Sequence, residues 1–533
     1  MPILNWLNRD KTIKESAKVP YRLLKAKDEF SYGDKNAENM IIQGDNLDGL
    51  KALLPYYAGK VKCIFIDPPY NTKSAFEHYD DNLEHTKWLE MIYPRLELLR
   101  EFLREDGVVF VQIDDKEGHY LKVIMDEIFG RNNFISSISV KMSTASGVKT
   151  SHRDKTIIKE KESILLYSKN RDLIKFFPQY TPRLEWDSEF QYYLEKNNSN
   201  DISNWRVLPL KDILKSNNIN YDPNNKDFKS FVINNADKIW RRAFIRNEFK
   251  EKSQNNPDII FKDKNDNLYF RGRQLYFFEK KFNTCFTEDG NKKLPSHLLG
   301  DFWDDINTGK LFNEGGIDFR NGKKPEFLIA RIIKLSTNEN DLVLDSFLGS
   351  GTTAAVAHKM NRRYIGIEMG DHAKTHCVER LKKVVDGEQG GISKSISWQG
   401  GGGFRFYELD VPIFDDQGKI NKDIKFEHLA AHIWFSETKT PFIKKDQNNP
   451  YSPFLGIHQG VAYYLLYNGI LGDKRPHGGN VLTSKILDLL EEIKTENFTG
   501  EKVIYGETSR IGPAKLLSKK ITFKQTPYDI KSR

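Results

Sequence analysis

Four consecutive residues, Asp67-Pro68-Pro69-Tyr70, form a turn whose side chains could do chemistry. They follow the apolar run 61–66, whose β-branched and aromatic residues predict a buried strand. The prolines stop helix or sheet from continuing and remove N–H donors that would compete for nearby acceptors. A flat ring bearing an amino group could lie against Tyr70 while its NH2 donates to the Asp67 carboxylate and the Pro68 carbonyl. The turn thus predicts a site that holds an amine nitrogen still, although an ordinary junction between strand and turn reads the same way.

A second group of residues begins where another predicted strand, 342–345, ends. It reads Asp345-Ser346-Phe347-Leu348-Gly349-Ser350-Gly351, and the strand after the next helix ends at Glu368. The glycines would let a ligand approach the backbone at a helix N-terminus, and an acid about twenty residues further on can bind ribose hydroxyls. A phosphate loop is not indicated, because its G-K-[ST] ending is missing. S-adenosylmethionine fits this motif, and a nicotinamide cofactor is the alternative for the motif taken alone.

Strands and helices alternate around both groups of residues. This alternation predicts a layered α/β sheet, and open sheets of this kind place ligands at the carboxyl ends of their strands. Apart from the two strands already named, the predicted strands are 40–44, 108–113, 134–140, 163–168 and 364–368. The strand 40–44 is followed directly by another acid, Asp45.

Length and composition limit the number of domains, the kinds of partner and the cellular setting. The 533 residues suggest two to four domains, and the formal charge of +8 is compatible with a polyanionic partner without proving one. The sequence shows no signal peptide and no apolar run of about 18 residues that could cross a membrane. Its three cysteines are far apart and indicate neither a disulfide framework nor a zinc site. We therefore expect a cytoplasmic protein with no membrane association and no bound metal.

The segment 170–295 differs in character from its surroundings. It is rich in Lys, Arg, Asn and aromatic residues, as at Trp240-Arg241-Arg242 and Arg271-Gly272-Arg273. Arg can reach phosphates and guanines while aromatic rings stack on bases, so the pattern favours contact with nucleic acid. Taken singly, each of these clusters also fits a solvated surface above a core of aromatic residues.

With these motifs in hand, the sequence resembles the β-class DNA adenine N6-methyltransferases. Their catalytic motif precedes their cofactor motif, as Asp67–Tyr70 precedes Asp345–Gly351 here. Within that class the chain is similar to the modification (Mod) subunits of type III restriction–modification systems. Further stretches that carry the resemblance are Gly44-Asp45-Asn46, Asn71-Thr72, Gln112-Ile113-Asp114-Asp115, Gly401-Gly402-Gly403-Phe404, Tyr505-Gly506-Glu507 and Pro527-Tyr528-Asp529-Ile530.

The resemblance implies a permuted, seven-stranded, S-adenosylmethionine-dependent methyltransferase fold of the Rossmann-like type. It gives Asp67, Pro68, Pro69 and Tyr70 the task of holding a target adenine flipped out of duplex DNA. The implied cofactor-binding residues are Asp345, Phe347, Gly349, Ser350 and Gly351 around the methionine part, Glu368 at the ribose, Asp45 near the adenine, and Lys324 with Pro325 closing the methionine pocket.

The same resemblance implies a domain plan and partners. The plan has an N-terminal arm (1–35), a first half of the methyltransferase core (36–169), a target recognition domain (170–295), a second half of the core (296–398) and a C-terminal accessory domain (399–533). Double-stranded DNA is the implied substrate, and a homodimer is implied by the family alone. The sequence given contains no G-x-x-x-x-G-K-[ST] motif, so a restriction (helicase/nuclease) function requires a separate subunit.

Several other functions stay open at this point. A C5-cytosine methyltransferase is disfavoured, because none of the cysteines follows a proline. An N4-cytosine DNA methyltransferase, an RNA adenine methyltransferase and a non-catalytic DNA-specificity subunit remain as alternatives to N6-adenine chemistry. Pro257-Asp258 with Glu279-Lys280-Lys281 loosely matches a metal-dependent nuclease, a pattern that chance produces easily in a Lys-rich chain.

Overall fold

The computed structural model divides the chain into two compact units. It describes residues 3–71, 84–143, 157–182, 186–196, 201–245, 248–309, 311–319, 322–415, 417, 419–422, 424–443, 452–470, 472–492, 498–526 and 529–530. The first unit consists of Met1–Phe177, Asp301–Ser393 and Ser397–Arg533, and the second of Pro178–Gly300 with Lys394–Ile396. Thr72, Pro527 and Tyr528 of the sequence motifs lie outside the described residues.

An eleven-stranded sheet forms the centre of the first unit. Ten of its strands form one continuous path. In chain order they are β1 (Arg22–Ala26), β2 (Met40–Gln43), β3 (Val61–Ile66), β4 (Leu103–Ile113), β5 (Phe134–Lys141), β6 (Lys161–Ser168), β7 (Phe302–Trp303), β8 (Leu342–Asp345), β9 (Arg363–Glu368) and β10 (Gly403–Pro412). Their order across the sheet is β1-β10-β2-β9-β8-β3-β4-β6-β5-β7, and the short strand Tyr32–Gly33 pairs with β10.

The strand predictions and the predicted fold class are confirmed. All seven predicted strands exist, and they occupy seven neighbouring positions, β2-β9-β8-β3-β4-β6-β5. β2, β9, β8, β3 and β4 are mutually parallel, whereas β6 runs antiparallel to β4 and β5. The order reverses between β8 and β3, and open α/β sheets bind ligands at such a reversal.

β4 begins earlier than the sequence predicted. The predicted strand is 108–113, but the preceding helix ends at Phe102 and the strand begins at Leu103. The pairing of β3 with β4 is irregular between Val61 and Cys63, so residues 104–107 form a bulge. Gly107 is required there, because a Cβ would lie 2.8 Å from the Val61 carbonyl oxygen.

The two ends of the predicted core differ from the domain plan. The predicted arm at 1–35 contributes β1, and the predicted accessory domain at 399–533 contributes β10, which is parallel to β2 and antiparallel to β1. The reason lies in the residues that follow the glycines at 400–403. Phe404 and Phe406 are fully buried, so the run leads directly into another core strand.

Helices join the strands and pack in pairs. Asn46–Tyr57 packs on His85–Phe102, and Glu326–Ser336 packs on Thr352–Lys359. The remaining α-helices of this unit are Arg9–Thr12, Glu15–Lys18, Asp115–Met125, Glu379–Val385, Phe426–Thr438, Ser484–Glu492 and Pro513–Ser518. Nowhere in the described residues is a helix both long and apolar enough to cross a membrane.

The C-terminal part of the first unit adds a small mixed sheet. Its four strands are Phe454–His458, Val461–Leu465, Glu501–Gly506 and Ile521–Gln525, in that order. Val481–Leu482 pairs with Thr508–Ser509 beside it. The hydrophobic core of the large sheet also includes Tyr463 and Tyr505 of this small sheet and residues of helix Phe426–Thr438.

The second unit is mostly antiparallel β-structure and spans 178–300, close to the predicted 170–295. A six-stranded sheet contains Tyr192–Glu195, Arg206–Pro209, Ile239–Ala243, Phe261–Lys262, Leu268–Phe270 and Arg273–Phe277, and a three-stranded sheet contains Tyr180–Pro182, Phe282–Thr287 and Gly290–Leu298. The helices Leu210–Ser216, Lys226–Asn234 and Phe249–Asn255 accompany them. Its core is largely aromatic, with Phe190, Phe228 and Trp240 almost fully buried.

Candidate active site

The structure brings the two sequence motifs together. β3 and β8 are adjacent and parallel, with Leu344 opposite Ile64, so Asp345 and Asp67 leave the sheet at the same edge. One cavity is lined by residues of both motifs. Its lining residues are Phe65, Asp67, Pro68, Pro69, Tyr70, Phe319, Gly322, Lys324, Asp345, Phe347, Leu348, Gly349, Ser350, Thr352 and Thr353. Nine of the thirteen predicted site residues therefore face one space.

Both carboxylate oxygens of Asp67 have partners in this structure. Its Oδ2 lies 2.6 Å from the ammonium of Lys324, and its Oδ1 accepts a hydrogen bond from the Tyr70 hydroxyl. The Tyr70 hydroxyl also lies 2.9 Å from Oε2 of Glu162. Lys324 sits 5.0 Å from the centre of the Tyr70 ring. Asp67, Tyr70, Glu162 and Lys324 thus form one group, joined by hydrogen bonds and ion pairs, at the edge of the sheet.

Burial and mutual charge set the protonation of this group. Burial raises the pKa of Asp67 above its ordinary value, against the opposing pull of Lys324. Burial would lower the pKa of Lys324, but the carboxylates of Asp67 and Glu162 outweigh it and raise that pKa. Lys324 is therefore a cation that balances one of the two neighbouring acids.

The turn Asp67–Tyr70 is fixed by its flanking residues. The indole of Trp88 donates to the Pro69 carbonyl at 2.7 Å. Asn71 adopts a left-handed conformation, with φ of 56°, and its amide donates to Glu117 at 2.8 Å. Glu117 also contacts His85 at 2.8 Å. Buried partners thus hold the end of the turn, and the ring of Tyr70 is oriented by a rigid backbone.

Asp345 organises the second motif. It accepts hydrogen bonds from the backbone N–H of Phe347 at 2.9 Å and from the Thr353 hydroxyl at 2.6 Å. Burial raises the pKa of Asp345 to about 7, and the carboxylates of Asp67 and Glu368 add to the effect. Gly349 and Gly351 have φ of 56° and 79°, which side chains other than glycine rarely adopt.

Glu368 lies behind the glycine loop and does not line the cavity. It is 4% exposed, and its carboxylate accepts from the backbone N–H groups of Gly349 at 2.7 Å and Met369 at 2.8 Å. His372 lies 3.0 Å from the same carboxylate. In this structure Glu368 therefore holds the glycine loop.

Three other predicted residues also lie outside the cavity lining. Asp45 caps the helix Asn46–Tyr57 and pairs with Arg95 at 2.9 Å. Pro325 caps the helix Glu326–Ser336, and Gly351 caps Thr352–Lys359. Asn46, next to Asp45, donates to the Ser346 carbonyl at 2.7 Å. The Asp45 region therefore contacts the cofactor loop from outside the cavity.

Glu162 is the residue that sequence reasoning missed. It stands near the beginning of β6, and no predicted motif contains it. Because β6 is antiparallel to β4, its beginning reaches the edge where the parallel strands end. Its signal in the sequence is an acid near the start of an apolar strand, not at a carboxyl end.

A buried ionic group supports the glycine loop. Glu326 is fully buried and contacts Lys359 and Arg380 at 2.8 Å each. Arg380 in turn donates to the Ser350 carbonyl at 3.3 Å and to the Thr352 hydroxyl at 2.7 Å. The two cations hold the pKa of Glu326 at about 2, although burial alone would raise it.

The second unit carries the expected arginine–aromatic pairs. Arg242 lies over Tyr192 at 5.0 Å, and Arg273 lies over the exposed Phe244 at 5.9 Å. Asp258 of the nuclease-like pattern pairs with Arg271 at 3.2 Å. Across the described part of the chain, no group of three or more His, Cys, Asp or Glu side chains is arranged to hold a metal ion.

Comparison with known proteins decides the family. A family model described as "DNA methylase" matches residues 61–379, more than half of the chain. The chain belongs to the DNA methylase family. The match begins at β3 and includes both motifs that line the cavity.

Individual relatives of this DNA methylase are Mod subunits. It is 40% identical over 409 residues, 70% of the chain, to the "Probable type III restriction-modification enzyme HindVI Mod subunit" of Haemophilus influenzae. It is 30% identical over 430 residues, 68% of the chain, to the EcoPI Mod subunit of Escherichia phage P1. The chain spans 54% and 62% of the length of these two relatives.

Solved structures also align with the chain. The M1.HpyAVI complex with S-adenosylmethionine aligns at 15% identity and a TM-score of 0.30, covering 64% of this chain and 98% of that one. The cytosine-N4-specific PvuII DNA methyltransferase aligns at 14% identity and a TM-score of 0.33, covering 68% of this chain and 93% of that one.

Proposed function

We propose that this DNA methylase is a site-specific adenine N6-methyltransferase that uses S-adenosylmethionine and acts on duplex DNA. The observation that carries the proposal is the single cavity shared by Asp67–Tyr70 and Asp345–Ser350, at the point where the strand order reverses. One motif offers acceptors for an amine and the other offers a glycine loop for a nucleoside. Their adjacency lets the two ligands meet.

The residues of the cavity fit S-adenosylmethionine chemically. Phe65, Phe319, Phe347 and Leu348 supply apolar walls, and Asp345 supplies a carboxyl group whose ionised form a cationic ligand would favour. Gly349 leaves the backbone open to close approach. When bound, S-adenosylmethionine supplies a methyl group on a positively charged sulfur. We assign Asp345, Phe347, Gly349, Ser350, Gly351 and Lys324-Pro325 to its methionine part, Glu368 to its ribose and Asp45 to its adenine side.

The catalytic turn holds the target base. An adenine can reach this cavity only after leaving the DNA stack, and Tyr70 then offers a ring for it to lie against. Asp67 and the Pro68 carbonyl accept the two hydrogens of the exocyclic amine, which orients the nitrogen lone pair away from them. Pro69 keeps the turn rigid, since its carbonyl is held by Trp88.

The similarity to Mod subunits supports a separate restriction subunit as a partner of this protein. We propose that the protein serves as the modification subunit of a type III restriction–modification system, with restriction supplied by a separate subunit. The sequence given has no ATP-binding loop of its own. A cytoplasmic location belongs to the same proposal, since the described cysteines are all free thiols.

Sequencing that detects modified bases tests this function. DNA from cells expressing the chain should carry N6-methyladenine at one short sequence, and DNA from cells expressing Asp67→Ala should not. N4-methylcytosine at a fixed site would replace the adenine assignment with the cytosine one. Methylated adenine in RNA alone, or no modified base at all, would contradict the proposal.

A further inference from the structure

The partners of Asp67 bear on how its carboxylate can accept a hydrogen bond from a target amine. To accept an N–H from a target amine, Asp67 must have a free oxygen lone pair in the right direction. Oδ1 is already engaged by the Tyr70 hydroxyl and Oδ2 by Lys324 at 2.6 Å, so each oxygen keeps one lone pair, and Asp67 can accept the amine without losing a partner only where that pair faces it. Displacing either partner without a replacement would leave a buried polar group unpaired, which is costly. The site therefore benefits from a second acceptor for these groups.

Glu162 is placed to be that acceptor. Its Oε2 lies 2.9 Å from the Tyr70 hydroxyl and 3.8 Å from the Lys324 ammonium. A phenol has one proton, so Tyr70 can donate to Asp67 or to Glu162 but not fully to both. Both groups that occupy Asp67 thus already lie beside a second carboxylate.

The surroundings of Glu162 keep it ready for this exchange. Fully buried Gln112 donates to the same Oε2 at 2.6 Å and fixes the carboxylate. Burial would raise the pKa of Glu162, but Lys324, Gln112, Tyr70 and Lys159 outweigh it and hold the pKa below its ordinary value. Glu162 is therefore an ionised acceptor of fixed orientation.

We propose that Glu162 is a positioning residue that takes over the Tyr70 hydroxyl, with support for Lys324, when the target amine engages Asp67. This inference rests on the proposed methyltransferase function and adds a residue to that site. Without Glu162, the hydroxyl and the target amine compete for Asp67. Cofactor binding does not depend on this exchange, because Glu162 does not line the cavity.

Four variants test the exchange by single-turnover methylation of duplex DNA: Glu162→Ala, Glu162→Gln, Tyr70→Phe and the double variant Tyr70→Phe/Glu162→Ala. Glu162→Ala should slow methyl transfer about tenfold or more, the usual size for losing a hydrogen bond to a charged group, with cofactor affinity unchanged. Glu162→Gln keeps an acceptor for the hydroxyl and should recover most of that loss. In a Tyr70→Phe background there is no hydroxyl to move, so Glu162→Ala should cost less than about threefold, as expected for coupled residues.

Other results would overturn the inference. A wild-type rate in Glu162→Ala, an equal loss in the Tyr70→Phe background, or a Gln variant no better than Ala would each exclude a role through Tyr70. If Glu162→Ala fails to fold, the Gln variant alone and in the Tyr70→Phe background carries the kinetic test: it should slow transfer measurably in the wild type and negligibly in that background.

A spectroscopic arm separates this inference from the proposed function. Protein labelled with ¹³Cζ-tyrosine gives a Tyr70 signal identified by its loss in Tyr70→Phe. Glu162→Gln should shift that signal without DNA or cofactor present, and an unchanged signal would refute the contact. A wild-type chain that methylates no duplex DNA would instead sink the proposed function, whatever the Tyr70 signal does.

Discussion

At the scale of single residues, the site concentrates buried charge. Asp67, Glu162 and Asp345 lie near one another around the ammonium of Lys324. Burying an ionised group away from water costs free energy unless partners compensate, so such clusters are typical of functional sites. Asp345 shows the cost most clearly, because its pKa rises to about 7 from an ordinary 3.8.

This raised pKa predicts how stability depends on pH. A group whose pKa is higher in the folded state stabilises the fold fully below its unfolded pKa, and the contribution is lost as pH rises through its folded pKa. For Asp345 that loss falls between about pH 4 and pH 7. Asp345→Asn does not titrate, so its melting temperature relative to wild type should rise by roughly 2–4 °C from pH 5 to pH 8.

Thermal unfolding of cofactor-free protein at several pH values checks this. Asp258→Asn is the matched control, because Asp258 is 87% exposed and its substitution should leave the pH profile unchanged. A constant difference between Asp345→Asn and wild type from pH 5 to pH 8 would show that Asp345 is not perturbed.

Among the helices and loops, the glycine loop is held in place by the buried ionic group of Glu326, Lys359 and Arg380. Glu326 begins one helix, Lys359 ends a second and Arg380 lies in a third. Arg380 also donates hydrogen bonds to the Ser350 carbonyl and the Thr352 hydroxyl. Three helices and the loop are thereby fixed to each other by fully buried charges.

Glu326→Ala should therefore be strongly destabilising. Removing one partner of a buried ion pair leaves the others uncompensated and costs about 3–5 kcal/mol of unfolding free energy. Glu379→Ala, on the same helix as Arg380, removes an exposed pair with Lys382 and should cost less than about 1 kcal/mol. Urea unfolding of the two variants measures the contrast, and equal effects would contradict the role given to Glu326.

Sequence patterns predicted the elements of this site better than their connections. Apolar runs ending in Asp67 and Asp345 predicted two strands, and parallel strands bring their ends to one edge. Glu162 and Glu326 could not be found this way, since their importance comes from partners distant in sequence. The strand β10 was missed for a similar reason: the glycine run before it resembles a linker, and only pairing with β2 shows that Phe404 and Phe406 enter the core.

At the level of the whole molecule, the main segment of the second unit, Pro178–Gly300, begins and ends at neighbouring points. The Leu299 N–H donates to the Gln179 carbonyl at 2.9 Å, and Tyr180–Thr181 pair with His297–Leu298. The chain therefore leaves and returns at nearly the same place. An insertion with neighbouring ends can be removed without stretching the chain that remains.

Replacing residues 180–298 by a short glycine linker should separate the two activities we propose. The shortened protein should bind S-adenosylmethionine with unchanged affinity, because every residue of the cavity belongs to the first unit. It should lose site-specific binding of duplex DNA. Calorimetry and a DNA-binding assay measure the two properties, and retained sequence-specific methylation would contradict a recognition role for the inserted unit.

The central claim is that Asp67 and Asp345 serve one reaction from one cavity. The most direct measurement incubates purified protein with duplex DNA and methyl-labelled S-adenosylmethionine, then identifies the labelled nucleoside by mass spectrometry. Wild type should yield N6-methyladenine, whereas Asp67→Ala should yield at least about a hundredfold less while still binding the cofactor. Equal N6-methyladenine from Asp67→Ala and wild type, or no labelled adenine from wild type, would contradict the account.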